Sequence, residues 1–476
     1  MSLTILTDEQ IAGLLNGLTV DELESFRDAL KQSLYEYSTG TQSLKDGDYH
    51  QPPRTSMTSP TTGATTLFMP SCSADGIGMK AHTEGVVPAN PHIRPTGAIT
   101  LYARTGNPLG ILHASTLTAF RTALASACLL LRRDTVRDIT VFGCGEQAYW
   151  HVRLALLLRG DTIRHINIIS RHFDSCRQFL ARFYSLPQYL KEREGWPEVK
   201  FSALTKSYNE YPRLLSQHLR QADVVFCCTP STTPLFDAHI LTSHEGRRKG
   251  RLLVAIGSYT HEMRELPADL LRQATQPSSR NHRHYHKHAM EGGVVVVDTL
   301  DGALKEAGEI YEAGLTPRHL VELGELVMLS RIALQDDDDN GSEDTSSTST
   351  LSVPSTEFDN LSLSGTTASA MSSVYGQDGE GAETGRSRSR PSSPSRKSSA
   401  AALLGNLAPS GHYHRRSSSH TSLEQRKKKE NHSARWLQRG NVIYKSVGLG
   451  LMDLAVGLHL IEFARQKGVG TYIDGF

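Results

Sequence analysis

Asp138-Ile139-Thr140-Val141-Phe142-Gly143-Cys144-Gly145-Glu146-Gln147-Ala148 is a short apolar run of β type that ends in a glycine-rich turn, and an apolar helical pattern follows from Trp150 to about Leu158. Strand, turn and helix in that order are the context a dinucleotide site needs. Gly143 permits the tight turn, Gly145 lets the backbone approach a pyrophosphate, and Ala148 takes the third small position, where helix and strand pack closely. The helix N-terminus beyond the turn offers N–H groups to phosphates. An ordinary glycine-rich turn is the competing reading of a lone G-x-G-x-x-A.

The surroundings support the first reading. Strand patterns at 139–142, 166–170, 223–228, 252–256 and 294–298 are continuous and rich in Val and Ile, as expected of a parallel sheet covered on both faces. Helical stretches at 148–158, 173–184 and 211–221 join the first three. Residues 134–334 therefore read as a doubly wound α/β domain with its ligands at the carboxyl ends of the strands. Two insertions interrupt it, at 187–200 and 275–291. The second carries His282, His284, His286 and His288, whose loop-like surroundings favour a solvated segment over a metal site.

Before this domain, residues 5–38 read as two amphipathic helices and 40–65 as a polar stretch containing Pro52-Pro53-Arg54. Residues 66–114 read as short antiparallel strands, with Lys80 at the end of one, where a lysine is ordinarily a solvated edge charge. Residues 115–133 form a nearly wholly apolar helix, capped at Ser115 or Thr116, that carries Arg121. A lone buried guanidinium is costly, so Arg121 must meet an anion: a protein carboxylate, or a ligand carboxylate or phosphate. Thr122 either caps a phosphate or bonds back to its own helix.

Residues 335–434 differ in kind. They open on Asp336-Asp337-Asp338-Asp339, run through Ser/Thr-rich sequence and end in basic clusters such as Arg426-Lys427-Lys428-Lys429, so a disordered insertion is expected. Its arginine-flanked serines make it a candidate kinase substrate. Order is expected to return over 435–476, with a strand at Val442–Tyr444, a turn at Lys445-Ser446-Val447-Gly448 and an amphipathic helix over 451–466, all packing back on the β region of residues 1–133.

The formal net charge of +1 gives no electrostatic case for nucleic acid or membrane partners. No apolar run approaches the roughly 18 residues of a membrane span. Met1–Val20 lacks the basic start of a signal peptide, and the six scattered cysteines read as reduced thiols, so a cytoplasmic location is expected.

Several stretches together resemble one family. Pro52-Pro53-Arg54, Gly78-Met79-Lys80, Leu117–Ala127 (LTAFRTALASA), Gly143–Ala148, Ala222–Leu235 (ADVVFCCTPSTTPL), Ile256–Pro267, Val295–Ile310 and Lys445–Gly457 (KSVGLGLMDLAVG) are similar to the ornithine cyclodeaminase/mu-crystallin family. The resemblance implies an α/β architecture: a Rossmann-type doubly wound parallel sheet domain plus a discontinuous α+β substrate and dimerisation domain, which builds a homodimer. It also implies that Arg54, Lys80 and Arg121 hold a substrate carboxylate and its amine or imine carbon. Thr96, Glu146, Gln147, Thr229 and Ser446 match positions that contact the dinucleotide, and Val447 matches one beside substrate and nicotinamide. Gly143, Gly145, Ala148, Arg121 and Thr122 complete the expected cofactor set. Arg171 closes the second strand, where an arginine can meet a 2′-phosphate, so NADPH is expected over NADH.

One departure bears on the reaction. Where cyclodeaminases carry an acid/base aspartate shortly after the fourth strand, this chain has Tyr259, flanked by Ser258, Thr260 and His261. A neutral phenol, with a reference pKa of about 10, is a poor general base at neutral pH. The resemblance therefore points first to an NAD(P)H-dependent reductase of a small imino or cyclic ketimine carboxylate, with Lys80 acting at the imine. An ornithine cyclodeaminase with bound NAD, and a ligand-binding protein that does little catalysis, stand as alternatives.

Overall fold

The computed structural model describes residues 2–39, 48–84, 96–276, 294–326 and 435–476. The expected insertion at 335–434, with its kinase sites, and the histidines at 282–288 lie outside the described residues. Two sheets organise the chain. One has eight parallel strands in the order Leu320–Glu322, Val295–Val297, Val442–Lys445, Leu252–Ala255, Val224–Cys227, Asp138–Phe142, His165–Ser170, Lys200–Thr205. Its central strands are buried along their whole length, which is why they read as unbroken apolar runs. The strand order reverses between Asp138–Phe142 and Val224–Cys227, so the crevice of this sheet opens beyond Phe142 and Cys227.

The other sheet has seven strands in the order Thr471–Asp474, Ser2–Leu6, Pro108–His113, Thr96–Tyr102, Ile77–Glu84, Thr65–Cys72, Thr55–Thr58. It is antiparallel except where Ser2–Leu6 runs parallel to Pro108–His113. One face is covered by the helices Ala114–Leu130 and Gly450–Lys467. Ala114–Leu130 also packs on the helix Glu146–Arg159, with the Phe120 and Trp150 rings edge to face, 5.4 Å apart. Its all-round burial follows: it is sandwiched between the two halves of the molecule.

Several expectations shift. Residues 5 and 6 belong to the strand Ser2–Leu6, and the first helix begins at Asp8 behind a Thr7–Gln10 capping box. The helix at 114 is capped by His113, whose Nδ1 accepts from the Ser115 amide, while Asp8 accepts from the Thr116 amide. The charged stretch at 187–200 runs into a parallel-sheet strand that the pattern did not mark, Lys200–Thr205, and holds a buried Trp196 whose indole donates to Glu194. The return segment divides. Its strand Val442–Lys445 enters the parallel sheet, and only the helix Gly450–Lys467 and the strand Thr471–Asp474 join the other half. Four buried positions in Val-Ile-Tyr-Lys suit an interior strand, whereas a short return segment gives no hint of which sheet will take it. The joint between the two parts is Ser446-Val447-Gly448.

Candidate active site

The glycine turn stands at the reversal point. Gly143 has φ +108°, and a Cβ there would lie 2.7 Å from the Cys228 carbonyl oxygen, so only glycine fits. Gly145 caps Glu146–Arg159 with no side-chain bond to the free amides, and a Cβ added to it would meet nothing within 4 Å. Gln147 Oε1 is buried with no hydrogen-bond partner among the described residues. An open-faced helix N-terminus with an orphaned acceptor fits a dinucleotide pyrophosphate and its polar neighbours. Ala148 is fully buried under the turn. Glu146 is bound by Arg182 through two bonds of 2.8 and 2.9 Å, and that guanidinium also lies 3.6 Å from the Tyr149 ring centroid. Arg171 is exposed immediately beyond the strand His165–Ser170.

Thr229, beyond the next strand, donates its amide and its hydroxyl to Glu265 Oε1 at 2.7 and 3.2 Å. The other carboxylate oxygen accepts from the Gly257 and Ser258 amides. Burial pushes Glu265 up to about 7, against the pull of Lys445 and of those amides. Lys445 is itself fully buried. Its ammonium donates to Ser258 and lies 3.3 Å from Glu309, which Ser258 Oγ also meets.

The joint at Ser446-Val447-Gly448 is anchored by Asp298. One oxygen of this buried carboxylate accepts from Ser446 Oγ at 2.8 Å and from the amides of Val447 and Gly448 at 3.0 and 2.7 Å. Gly448 has φ +87°, and a Cβ there would lie 3.0 Å from an Arg121 nitrogen. On the other side of the joint, Arg54 donates to the Val447 carbonyl at 3.4 Å. Lys80 donates to Thr118 Oγ1 at 2.8 Å and to both oxygens of Asp453 at 3.3 Å. Arg121 Nε reaches the same carboxylate at 3.2 Å. Lys80, Arg121 and Asp453 are all buried, at 3%, 3% and 1% exposure, so each charge depends on the others.

Two guanidiniums from distant parts of the chain thus meet one turn, whose strand runs in the parallel sheet, and an ammonium shares a carboxylate with one of them. Residues 18–189 match a family model described as the ornithine cyclodeaminase/mu-crystallin family. Over those residues the chain is similar to that family. It is 25% identical, over 70% of its length and 89% of the relative's, to an uncharacterized protein of Saccharomyces cerevisiae. It is 27% identical to a Delta(1)-pyrroline-2-carboxylate reductase of Bacillus cereus, over 54% of this chain and 68% of that enzyme. Among solved structures, Thermococcus litoralis Delta(1)-pyrroline-2-carboxylate reductase, in complex with NADH and L-proline, matches with TM-score 0.57 and 15% identity over 98% of this chain and 99% of that one. At that identity the likeness is one of fold.

Arg54, Arg121, Ser446 and Val447 come together at the joint, with Lys80 joined to Arg121 through Asp453, whereas two other expected residues are engaged elsewhere. Thr122 Oγ1 donates to the Thr118 carbonyl of its own helix, and the exposed Thr96 hydroxyl pairs with His113. Sequence reasoning missed four carboxylates that organise the site: Asp298, Glu306, Asp453 and Glu265. Glu306 occupies Arg54, accepting from Nε at 2.6 Å and touching the guanidinium again through its second oxygen. Asp453 carried a signal, since an aspartate inside Leu451–Val456 of an otherwise apolar helix has to be paired. Glu306 carried none.

Proposed function

We propose that this chain is an NAD(P)H-dependent oxidoreductase that reduces a small imino or cyclic ketimine carboxylate to an amino acid. The observation that carries the reading is that Arg54 and Arg121 both meet the Ser446-Val447-Gly448 turn, while Lys80 shares the Asp453 carboxylate with Arg121. A bound dihydronicotinamide would supply the hydride, its phosphates held at the Gly143–Ala148 turn. The guanidiniums of Arg54 and Arg121 hold the substrate carboxylate, a task for which lysine is a poor replacement. The Lys80 ammonium, steadied by Asp453 and Thr118, donates a hydrogen bond at the imine nitrogen. The overall reaction takes up one hydride at carbon and leaves one more proton on nitrogen. Burial of Lys80 and Arg121 keeps water from the reacting carbon.

The B. cereus relative's name and the T. litoralis enzyme's bound NADH and proline support this reading, as does Tyr259 in place of the cyclodeaminase aspartate. Arg171, exposed beyond the second strand, favours NADPH over NADH. The half-exposed outer face of the seven-stranded sheet, with Ile77 and Met79 uncovered, suits a homodimer. The test is oxidation of NADPH and NADH in the presence of pyrroline- and piperideine-2-carboxylate. Turnover with at least one, faster with NADPH, is expected. Ornithine-dependent ammonia release with no ketimine turnover would replace this proposal with cyclodeamination.

A further inference from the structure

The reaction proposed above leaves one pair of reactive groups unused. Cys144 stands between the two glycines of the dinucleotide turn, and Cys176 lies on the helix Phe173–Tyr184 that follows the neighbouring strand. Their sulfurs are 3.9 Å apart, with the Cys144 thiol donating to Cys176. Both are free thiols; Cys176 is buried and Cys144 is half-buried. The two segments are also tied through backbone, since the Gly143 amide donates to the Ile169 carbonyl at 2.9 Å. We propose that Cys144 and Cys176 are an oxidative cross-linking site that closes across the dinucleotide turn.

Three features support the pairing. The first is distance: a disulfide needs the sulfurs at about 2.0 Å, and the remaining gap is within reach of side-chain rotation plus a small shift of the turn. The second is compliance. Cys144 has glycine on both sides, and although Gly143 is held against Cys228, the space beside Gly145 is open, so that side of the turn can shift. The third is polarity. The hydrogen bond between the sulfurs, ahead of burial, raises the Cys144 thiol and lowers that of Cys176, which prepares Cys176 to act as the attacking sulfur.

The oxidant is a hydroperoxide. One sulfur of the pair, as thiolate, attacks the peroxide, the O–O bond breaks, and an alcohol or water leaves with the thiol proton. This gives a sulfenic acid on that cysteine. The other sulfur then attacks it, the S–O bond breaks, and water leaves with the second thiol proton. Two thiols and one hydroperoxide become one disulfide, one alcohol or water, and one water. Drawing Cys144 toward Cys176 moves the amides at the N-terminus of Glu146–Arg159, so the oxidised protein should bind dinucleotide less tightly. That consequence rests on the cofactor reading of the turn; the cross-link itself does not.

The experiment uses the full chain, reduced, or treated with hydrogen peroxide that is then removed. Peptide mass mapping should show a species joining the Cys144 and Cys176 peptides with two hydrogens lost. NADH titration should show at least about tenfold weaker binding after oxidation, a difference of roughly 1.4 kcal/mol. The loss should reverse with dithiothreitol, and prebound NADH should slow the cross-link. Cys176→Ser should bind NADH alike before and after peroxide. The proposal is overturned if no such peptide forms, if Cys144 pairs with Cys228 instead, or if Cys176→Ser loses affinity as the native chain does. Reduced protein that fails to bind NADH counts against the function proposed above, and the mapped peptide then decides this inference.

Discussion

Two buried charge clusters flank the strand Val442–Lys445, and they are built with opposite signs. Beyond its end, Arg54, Lys80 and Arg121 face Asp453 and Glu306, an excess of cations. At Lys445, a single ammonium faces Glu265 and Glu309, an excess of acids. The acid-rich cluster is spent on the protein itself: Glu265 gathers the amides of Thr229, Gly257 and Ser258, which fixes the loops at the carboxyl edge of the sheet. In the cation-rich cluster the carboxylates of Asp453 and Glu306, the Thr118 hydroxyl and the Val447 carbonyl accept from the three cations beside the turn. A guanidinium fork beside a turn suits a carboxylate in geometry, whereas a carboxylate surrounded by backbone amides is scaffolding.

The largest effect should come from removing the carboxylate that two buried cations share. Asp453→Ala leaves Lys80 and Arg121 without it and should cost about 3–5 kcal/mol in unfolding free energy, measured by denaturant titration. A loss under 1 kcal/mol would mean that the pair is solvated and the cluster not closed.

Glu265 comes next and tests the acid-rich side. Its folded value of about 7 lies above its ordinary 4.5, so the folded chain holds a proton that the unfolded chain has released between those values. Stability from this group is therefore present at low pH and is lost as pH rises from 4.5 toward 7, by roughly 1.4 kcal/mol per unit. Glu265→Gln should flatten that slope in thermal melts taken from pH 5 to 8. An unchanged slope would place the titration elsewhere.

Arg121→Lys keeps the charge and loses the fork. Loss of a charged hydrogen bond worth roughly 1.5–3 kcal/mol corresponds to about a 10- to 100-fold fall in kcat/KM for a ketimine carboxylate. NADH affinity should hardly move, and a parallel loss of cofactor binding would instead put Arg121 on the phosphates. The smallest effect has an unusual sign. Glu306 competes with the substrate for Arg54, so Glu306→Gln should lower KM by a few-fold, in keeping with a partly exposed pair worth about 1 kcal/mol or less. A raised KM would show that Glu306 orients Arg54 for the substrate and does not compete.

Much of this organisation was legible from residue types. Gly143 and Gly145 between an apolar run and a helix pattern specify a turn at a strand end, because few other residues permit that backbone path. The unbroken Val/Ile runs marked strands covered on both faces, and Arg121 within an apolar helix required an anionic partner. The strand Lys200–Thr205 was missed because it is only partly buried and lacks a continuous apolar run, with charged sequence just before it. Lys80 read as an edge charge, since alternation along a strand says which residues share a face but not what will cover that face.

Local sequence thus determined which segments form the parallel sheet, where its turn lies, and that a buried guanidinium needed neutralising. It could do so because backbone sterics and burial periodicity act over a few residues. Only the tertiary structure decided that Val442–Lys445 joins the parallel sheet while the helix after it crosses to the other half. That crossing brings Asp453 to Lys80 and Arg121, more than 300 positions away in sequence, and sets Glu306 against Arg54. Such pairings depend on which surfaces remain uncovered once every other element has packed, a property of the assembled chain that no single stretch encodes.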